Sequence, residues 1–222
     1  AYEEGRDNVV FVALTYVLEP GFLGEQKSKA AQLGIRSLMG AGIQPHIIAC
    51  RANNPVSQRV REKISVFSNV PVERVISVHD AASIYEIPAL LKAAGTDEHV
   101  LDIVKLKDKA NREKEKLLWK EWQSLTAKLK QPKKEIIIGI TGKYTGLRDS
   151  YASILNALEH AGMHAGTKVK VQWIETTDIE SGKVKPEQAL KGVKGIIVPG
   201  GFGKRGAEGK IACIKYVREL YK

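Results

Sequence analysis

Cysteine is almost missing from this chain, with two thiols in 222 residues. Cys50 and Cys213 stand far apart and in no metal-like or redox spacing, which excludes a disulfide framework and a cysteine metal motif. Both lie in apolar runs, IIAC and IACI, and read as core residues of a reduced, cytoplasmic protein. Long hydrophobic runs are lacking too. No stretch of about 18 apolar residues occurs, so no membrane span is expected. The opening AYEEGRDN is polar and acidic, unlike a secretory signal.

What the chain has in excess is positive charge, a net +10. Between Lys105 and Lys134 there are 11 Lys/Arg against 4 Asp/Glu, a net +7. Most of the excess therefore sits in KLKDKANREKEKLLWKEWQSLTAKLKQPKK. Leu117, Leu118, Trp122, Leu125 and Leu129 recur there at helical spacing, which predicts an amphipathic connector helix with a solvated basic face. No RNA- or DNA-binding signature accompanies it, and no nucleic-acid partner is expected.

On either side of this segment strands alternate with helices. NVVFVALTYV reads as a buried strand, QLGIRSLMGAG as a helix stopped by glycine, PHIIACR as a strand and VSQRVREKISVFSN as a helix. RVISVHD is a third strand and IYEIPALLKAAG a closing helix. The rhythm restarts with EIIIGITGKY (strand), DSYASILNALEHAGM (helix), KVKVQWIET (strand), KPEQALKG (short helix), GIIVPGG (strand) and EGKIACIKYVREL (helix). Alternation of this kind predicts α/β architecture with parallel sheets. The expected fold is two doubly wound, Rossmann/flavodoxin-like domains, residues 1–104 and 135–222, joined by a basic helical linker over 105–134. Three strands per sheet fall short of the usual five to six or so, so both domains are expected to be incomplete.

GIIVPGGFGKRG, Gly195 to Gly206, contains G-x-G-x-x-G through Gly201, Gly203 and Gly206. A dinucleotide fingerprint follows the first strand of its unit and has an acidic residue about 20 positions on. This loop follows the third strand, and the residues after Gly206 read as one helix. The better reading is a loop at a strand's carboxyl end whose backbone N–H groups approach a substrate unobstructed by Cβ atoms and stabilise an oxyanion.

VPGGFGKRG resembles the loop of the class I glutamine amidotransferase domain of CTP synthases. Four more segments resemble that family in order: GIQPHIIACR from Gly42, KISVFSNVP from Lys63, VISVHDAASIYEIPALL from Val75, and TGKYTGLRDSYASILNALEHAG from Thr141. The resemblance identifies the end of the amidoligase (synthetase) domain, the interdomain linker and the front of the glutaminase domain. It implies the ATP-dependent amination of UTP to CTP with ammonia from glutamine, with Mg²⁺ accompanying ATP and ligated outside this chain. It also implies a homotetramer.

The resemblance carries over residue by residue. GEQKSKAAQ, Gly24 to Gln32, matches the family's nucleotide-contacting G-E-x-K-[ST]-K-P-T-Q. Lys27, Ser28, Lys29, Ala30, Ala31 and Gln32 are therefore candidates for UTP and CTP binding, with Lys63 matching the family's further UTP- and CTP-contacting lysine. Lys27 and Lys29 precede a predicted helix N-terminus, where ammonium groups and oriented N–H donors suit a triphosphate. Ala30 and Ala31 replace the family's proline and threonine, which loosens the helix start and removes a hydroxyl. His79, Asp80 and Ala81 match the segment that touches the adenine of ATP, and Asp80 alone also reads as a helix cap. Gly200 and Gly201 match the glutamine and oxyanion loop. Phe202 and Arg205 are candidates for a lid that responds to GTP, by stacking on a base and meeting phosphate.

No catalytic residue is assigned. A class I glutaminase needs a cysteine in a G-x-C-x-G elbow with His and Glu partners. Cys213 sits in KIACIKY, and no histidine follows His164. The chain is expected to be a central fragment, inactive alone. The competing reading is a non-catalytic nucleotide-binding or assembly module derived from the family.

Overall fold

A computed structural model describes residues 3–21, 24–143, 148–201 and 203–220. The chain forms two compact units, Ala1–Lys114 and Glu115–Lys222.

The first unit runs β1 (Val12–Tyr16), α1 (Lys29–Gly40), β2 (Ile47–Ala52), α2 (Gln58–Ser68), β3 (Val75–His79), α3 (Ile87–Ala93) and α4 (Thr96–Ile103). The three strands are parallel in the order β1-β2-β3. Two successive crossovers in one direction, both of the favoured hand, put their helices on one face of a sheet. Ala31 and Ile35 of α1 and Val60 and Ile64 of α2 accordingly share one core with Ala13, Ile48, Cys50 and Val75. Asn69, at φ 54, ends α2 in the left-handed region, with its N–H on the Ser65 carbonyl.

NVVFVALTYV is not the buried strand its composition predicts. Only Val12–Tyr16 of it forms the strand, and that strand lies at the sheet edge. Val12 and Leu14 point away from the core and are 52% and 72% exposed. On the same face the partner positions Ile47 and Ala49, and Ile76 beyond, are buried. The cover on that face reaches the inner strands and stops short of β1. IYEIPALLKAAG gives the expected helix and glycine stop, but that helix does not close the unit. The segment forms a 3₁₀ turn and then α3, and Gly95, at φ 69, leads directly into α4.

A 19-residue helix, α5 (Arg112–Lys130), occupies the basic segment. Leu117 and Leu118 of its predicted apolar stripe are 60% and 53% exposed, while Trp122, Leu125 and Leu129 are half-buried.

The second unit continues with β4 (Lys134–Gly142), α6 (Ala152–Ala165), β5 (Thr167–Glu175), α7 (Thr176–Glu180), α8 (Pro186–Ala189), β6 (Gly195–Ile197) and α9 (Ala207–Leu220). The strands are parallel in the order β5-β4-β6. Chain order is thus 2-1-3, the flavodoxin-like arrangement in which the winding reverses at the central strand. Cys213 of α9 is buried with Ile174, Ile179 and Leu190, as the apolar run IACI predicts. The short α7 was not expected, because KVKVQWIET gives no signal of a helix beginning at its last residue. Among the described residues no helix is long and apolar enough to cross a membrane.

Candidate functional site

In the first unit the loops after β1 and β2 are knit together at the strands' carboxyl ends, where α/β folds place ligands. Gln26 is the fastener. Its Nε2 donates to Glu19 Oε1 at 2.6 Å and to the Pro55 carbonyl at 3.0 Å, and its Oε1 accepts from the Ser57 N–H at 2.8 Å. Asn54 Nδ2 donates to the other Glu19 oxygen at 2.9 Å. Lys27 bridges back to β1's end through its N–H to the Leu18 carbonyl at 2.8 Å.

Lys27 also extends its Nζ to Glu25 Oε2 at 2.9 Å. That hydrogen bond and the Lys27 charge, with smaller effects from Arg59 and Lys63, hold the Glu25 carboxyl below its ordinary range. Three cations, Lys27 before α1 and Arg59 and Lys63 of α2, thus bear on one carboxylate.

Gln32 of α1 and Arg59, Glu62, Lys63, Val66 and Phe67 of α2 line a cavity of about 550 Å³. It brings together Gln32 and Lys63, which the sequence resemblance paired. Gln32 is oriented by its Nε2 on Ser28 Oγ at 3.2 Å. Ser28 occupies the cap of α1 without a side-chain hydrogen bond to the helix's backbone amides, and the first turn carries no acidic residue. Lys29 and Ala30 are exposed there. Ala31 is buried in the core, so only its backbone is left to face a ligand. Arg59 is the residue that sequence reasoning missed. The signal was present, since in SQRVREKISVF it lies four residues before Lys63 and hence on the same helical face.

The segment His79-Asp80-Ala81 follows β3. The Asp80 N–H donates to the Ala52 carbonyl at 3.0 Å, and Asp80 Oδ1 accepts from Arg51 Nη2 at 2.5 Å. Asp80 caps no helix among the described residues; it is tied to the neighbouring strand. His79 Nδ1 lies 3.2 Å from Ser77 Oγ, which accepts the Val56 N–H at 2.9 Å. Through Ser77 the ends of β2 and β3 hold one another.

In the second unit the glycine-rich loop leaves β6 beside the end of the central strand β4, at the reversal of winding where such sheets bind ligands. Thr141 Oγ1 donates to the Ile197 carbonyl at 3.2 Å, and Lys210 Nζ donates to the Pro199 carbonyl at 2.8 Å. The glycines divide into two classes. Gly203 and Gly206 have φ near 83° and 81°, values that only glycine adopts readily. A Cβ on Gly206 would lie 2.6 Å from Thr176 Oγ1. Gly200 and Gly201 are exposed, lack a positive φ, and leave room for a Cβ, Gly200 with nothing within 4 Å. The fold does not require glycine at these two positions, which leaves unobstructed backbone for a ligand. Arg205 is exposed in the same loop, and Phe202 lies outside the described residues. Across the end of β4, Tyr151 donates its hydroxyl to the Lys143 carbonyl at 2.7 Å. Burial, with Glu175 adding to it, raises the Tyr151 pKa.

Neither thiol belongs to these sites. Burial pushes Cys50 up to about 12 and raises Cys213, so both are inert.

Residues 1–106 match the family described as CTP synthase N-terminus, and residues 147–222 match glutamine amidotransferase class-I. The chain is 46% identical over 217 residues to the CTP synthase of Pyrococcus furiosus, covering 98% of this chain and 39% of that protein. It is 48% identical to the Pyrococcus horikoshii CTP synthase over the same length and coverage. With the Caldanaerobacter subterraneus CTP synthase it shares 41% over 219 residues. The chain spans about two fifths of the length of these relatives, 39% in each case. With two family matches in chain order, and relatives of one name along nearly its whole length, this chain belongs to the CTP synthase family.

Proposed function

We propose that this chain supplies the pyrimidine-nucleotide site and the front of the glutaminase unit of a glutamine-hydrolysing CTP synthase. In that reaction the γ-phosphoryl group of ATP passes to O4 of UTP, leaving ADP. Ammonia released from glutamine then attacks C4 and expels the phosphate, leaving CTP. The observation that carries the reading is the cavity shared by Gln32 and Lys63, with Arg59 beside them, together with the charge of Lys27, Arg59 and Lys63 bearing on Glu25. A triphosphate needs several cations and oriented N–H donors. Lys27, Lys29, Arg59 and Lys63 supply the charge, and the uncapped start of α1 supplies the amides. Gln32 offers both a donor and an acceptor to a pyrimidine or its ribose.

ATP is assigned to the turn at His79, Asp80 and Ala81, glutamine to Gly200 and Gly201, and a GTP activator to the loop of Arg205. Asp80 is the carboxylate of the ATP-matched turn, and its bond to Arg51 suits it to hold the turn rather than a divalent cation. Magnesium therefore enters only as the companion of ATP. The assembly proposed is a homotetramer in the cytoplasm.

The test is calorimetric titration of UTP and CTP into the chain and into Lys63→Ala and Lys27→Ala. Binding that weakens at least about tenfold in each variant is expected, since one charge-assisted contact contributes about 1.5–3 kcal/mol. A folded chain that takes up no UTP at millimolar concentration refutes the assignment.

A further inference from the structure

The helix α6 carries two histidines that none of these assignments uses. His160 and His164 are four residues apart, hence on one face of the helix, and both are exposed. Their Nε2 atoms stand 3.2 Å apart, with ring planes at 67° and centroids 4.9 Å apart. Tetrahedral zinc bonded to imidazole at about 2.0–2.1 Å separates two ligand nitrogens by about 3.3–3.4 Å. An octahedral right angle at the same bond length brings them to about 2.8–3.0 Å. The observed spacing lies nearer the tetrahedral value. His164 sits in the last turn of α6, which ends at Ala165 with Gly166 as its left-handed cap, and His160 lies one turn before it. The negative end of the helix dipole favours a cation there.

We infer that His160 and His164 form a two-imidazole chelate for a borderline transition-metal cation of the Zn²⁺, Ni²⁺ and Cu²⁺ class, clamping the turn of α6 between them. Without metal the two Nε2 atoms share one hydrogen bond, so one ring donates and the other accepts. Metal binding replaces that proton with the cation, and both rings then carry their proton on Nδ1. Water completes the coordination shell, which makes the site an open one. Nitrogen ligands select this class of metal and leave Mg²⁺ and Ca²⁺, which demand oxygen. Copper binds more tightly than nickel or zinc at such a site.

The experiment uses the full 222-residue chain without an affinity tag. ZnCl₂, NiCl₂ and CuCl₂ are titrated separately by calorimetry, while histidine ring resonances are followed by NMR with Zn²⁺. One equivalent of metal is expected, with the His160 and His164 signals moving together. Removing an imidazole costs at least as much as removing its outer-sphere partner, so His160→Gln and His164→Gln should each weaken binding by about tenfold or more. Added Mg²⁺ should not compete. The thermal midpoint should rise with Zn²⁺ in the parent chain and stay fixed in either variant, whose fold is checked by far-UV circular dichroism. Metal uptake unchanged in both variants, or ring signals unmoved at millimolar Zn²⁺, overturns the assignment.

Discussion

The backbone N–H of Gly206 donates to Glu180 Oε2 at 2.6 Å, tying the far end of the glycine-rich loop to α7. Thr176, buried at the start of that helix, donates to the Gly142 carbonyl at 3.2 Å. One glycine therefore closes a contact between the loop, α7 and the end of β4. Gly206→Ala introduces both a left-handed strain and a clash with Thr176, so it should destabilise the second unit by about 1–3 kcal/mol. Gly200→Ala meets open space and should stay within about 0.5 kcal/mol of the parent. Urea unfolding of the two variants separates the classes; equal losses would contradict the division.

Gln26 spans two loops with three hydrogen bonds. Its replacement by alanine leaves Glu19 and the Ser57 N–H without that partner, at a cost of about 1–3 kcal/mol. Gln26→Glu should be at least as damaging, because the new carboxylate faces Glu19 and cannot donate to the Pro55 carbonyl. Thermal unfolding of both variants, beside UTP titration, checks this. Stability lost together with affinity is the expected pattern.

Arg59 lines the cavity with Lys63. Arg59→Ala should weaken UTP binding several-fold, and its effect should shrink as salt rises from low to about 0.5 M, because partly exposed charges are screened. Affinity indifferent to both the substitution and salt would remove Arg59 from the site.

Asp97 accepts a hydrogen bond from Lys92 at 2.7 Å in the first turn of α4. Burial raises its pKa, but the Lys92 bond and backbone N–H groups outweigh this, and the net shift is downward. A carboxyl whose folded value lies below its unfolded one stabilises the fold above the unfolded value, and loses that contribution as pH falls through the folded one. The loss should therefore begin near pH 4 and continue below it. For a pair this exposed it amounts to about 0.2–1 kcal/mol. Asp97→Asn should flatten the acid limb of the stability profile by that amount, measured by urea midpoints from pH 6 downward.

Cys50 and Cys213 are both fully buried. A disulfide reagent at pH 8 should leave the native chain unmodified for as long as it stays folded and label both thiols once denaturant is added. Rapid labelling of one thiol in the native state would show that its cover opens.

The alternation of strands and helices, the glycine stops and the burial of both cysteines were legible in the sequence, because each depends on neighbours within a few residues. The pairing of Gln32 with Lys63 was legible only through resemblance, as nothing local links residues 31 positions apart. Tertiary structure decided the rest. The reversed order β5-β4-β6 puts the glycine loop beside the end of β4, a matter of crossover and not of composition. The uncovered row on β1 follows from its place at the sheet edge. Glu180 and Gln26 gave no sequence signal, because a polar side chain in a loop or short helix acquires its partner only when distant segments are brought within hydrogen-bond reach. Periodicity is written in the chain, whereas juxtaposition is a property of the fold.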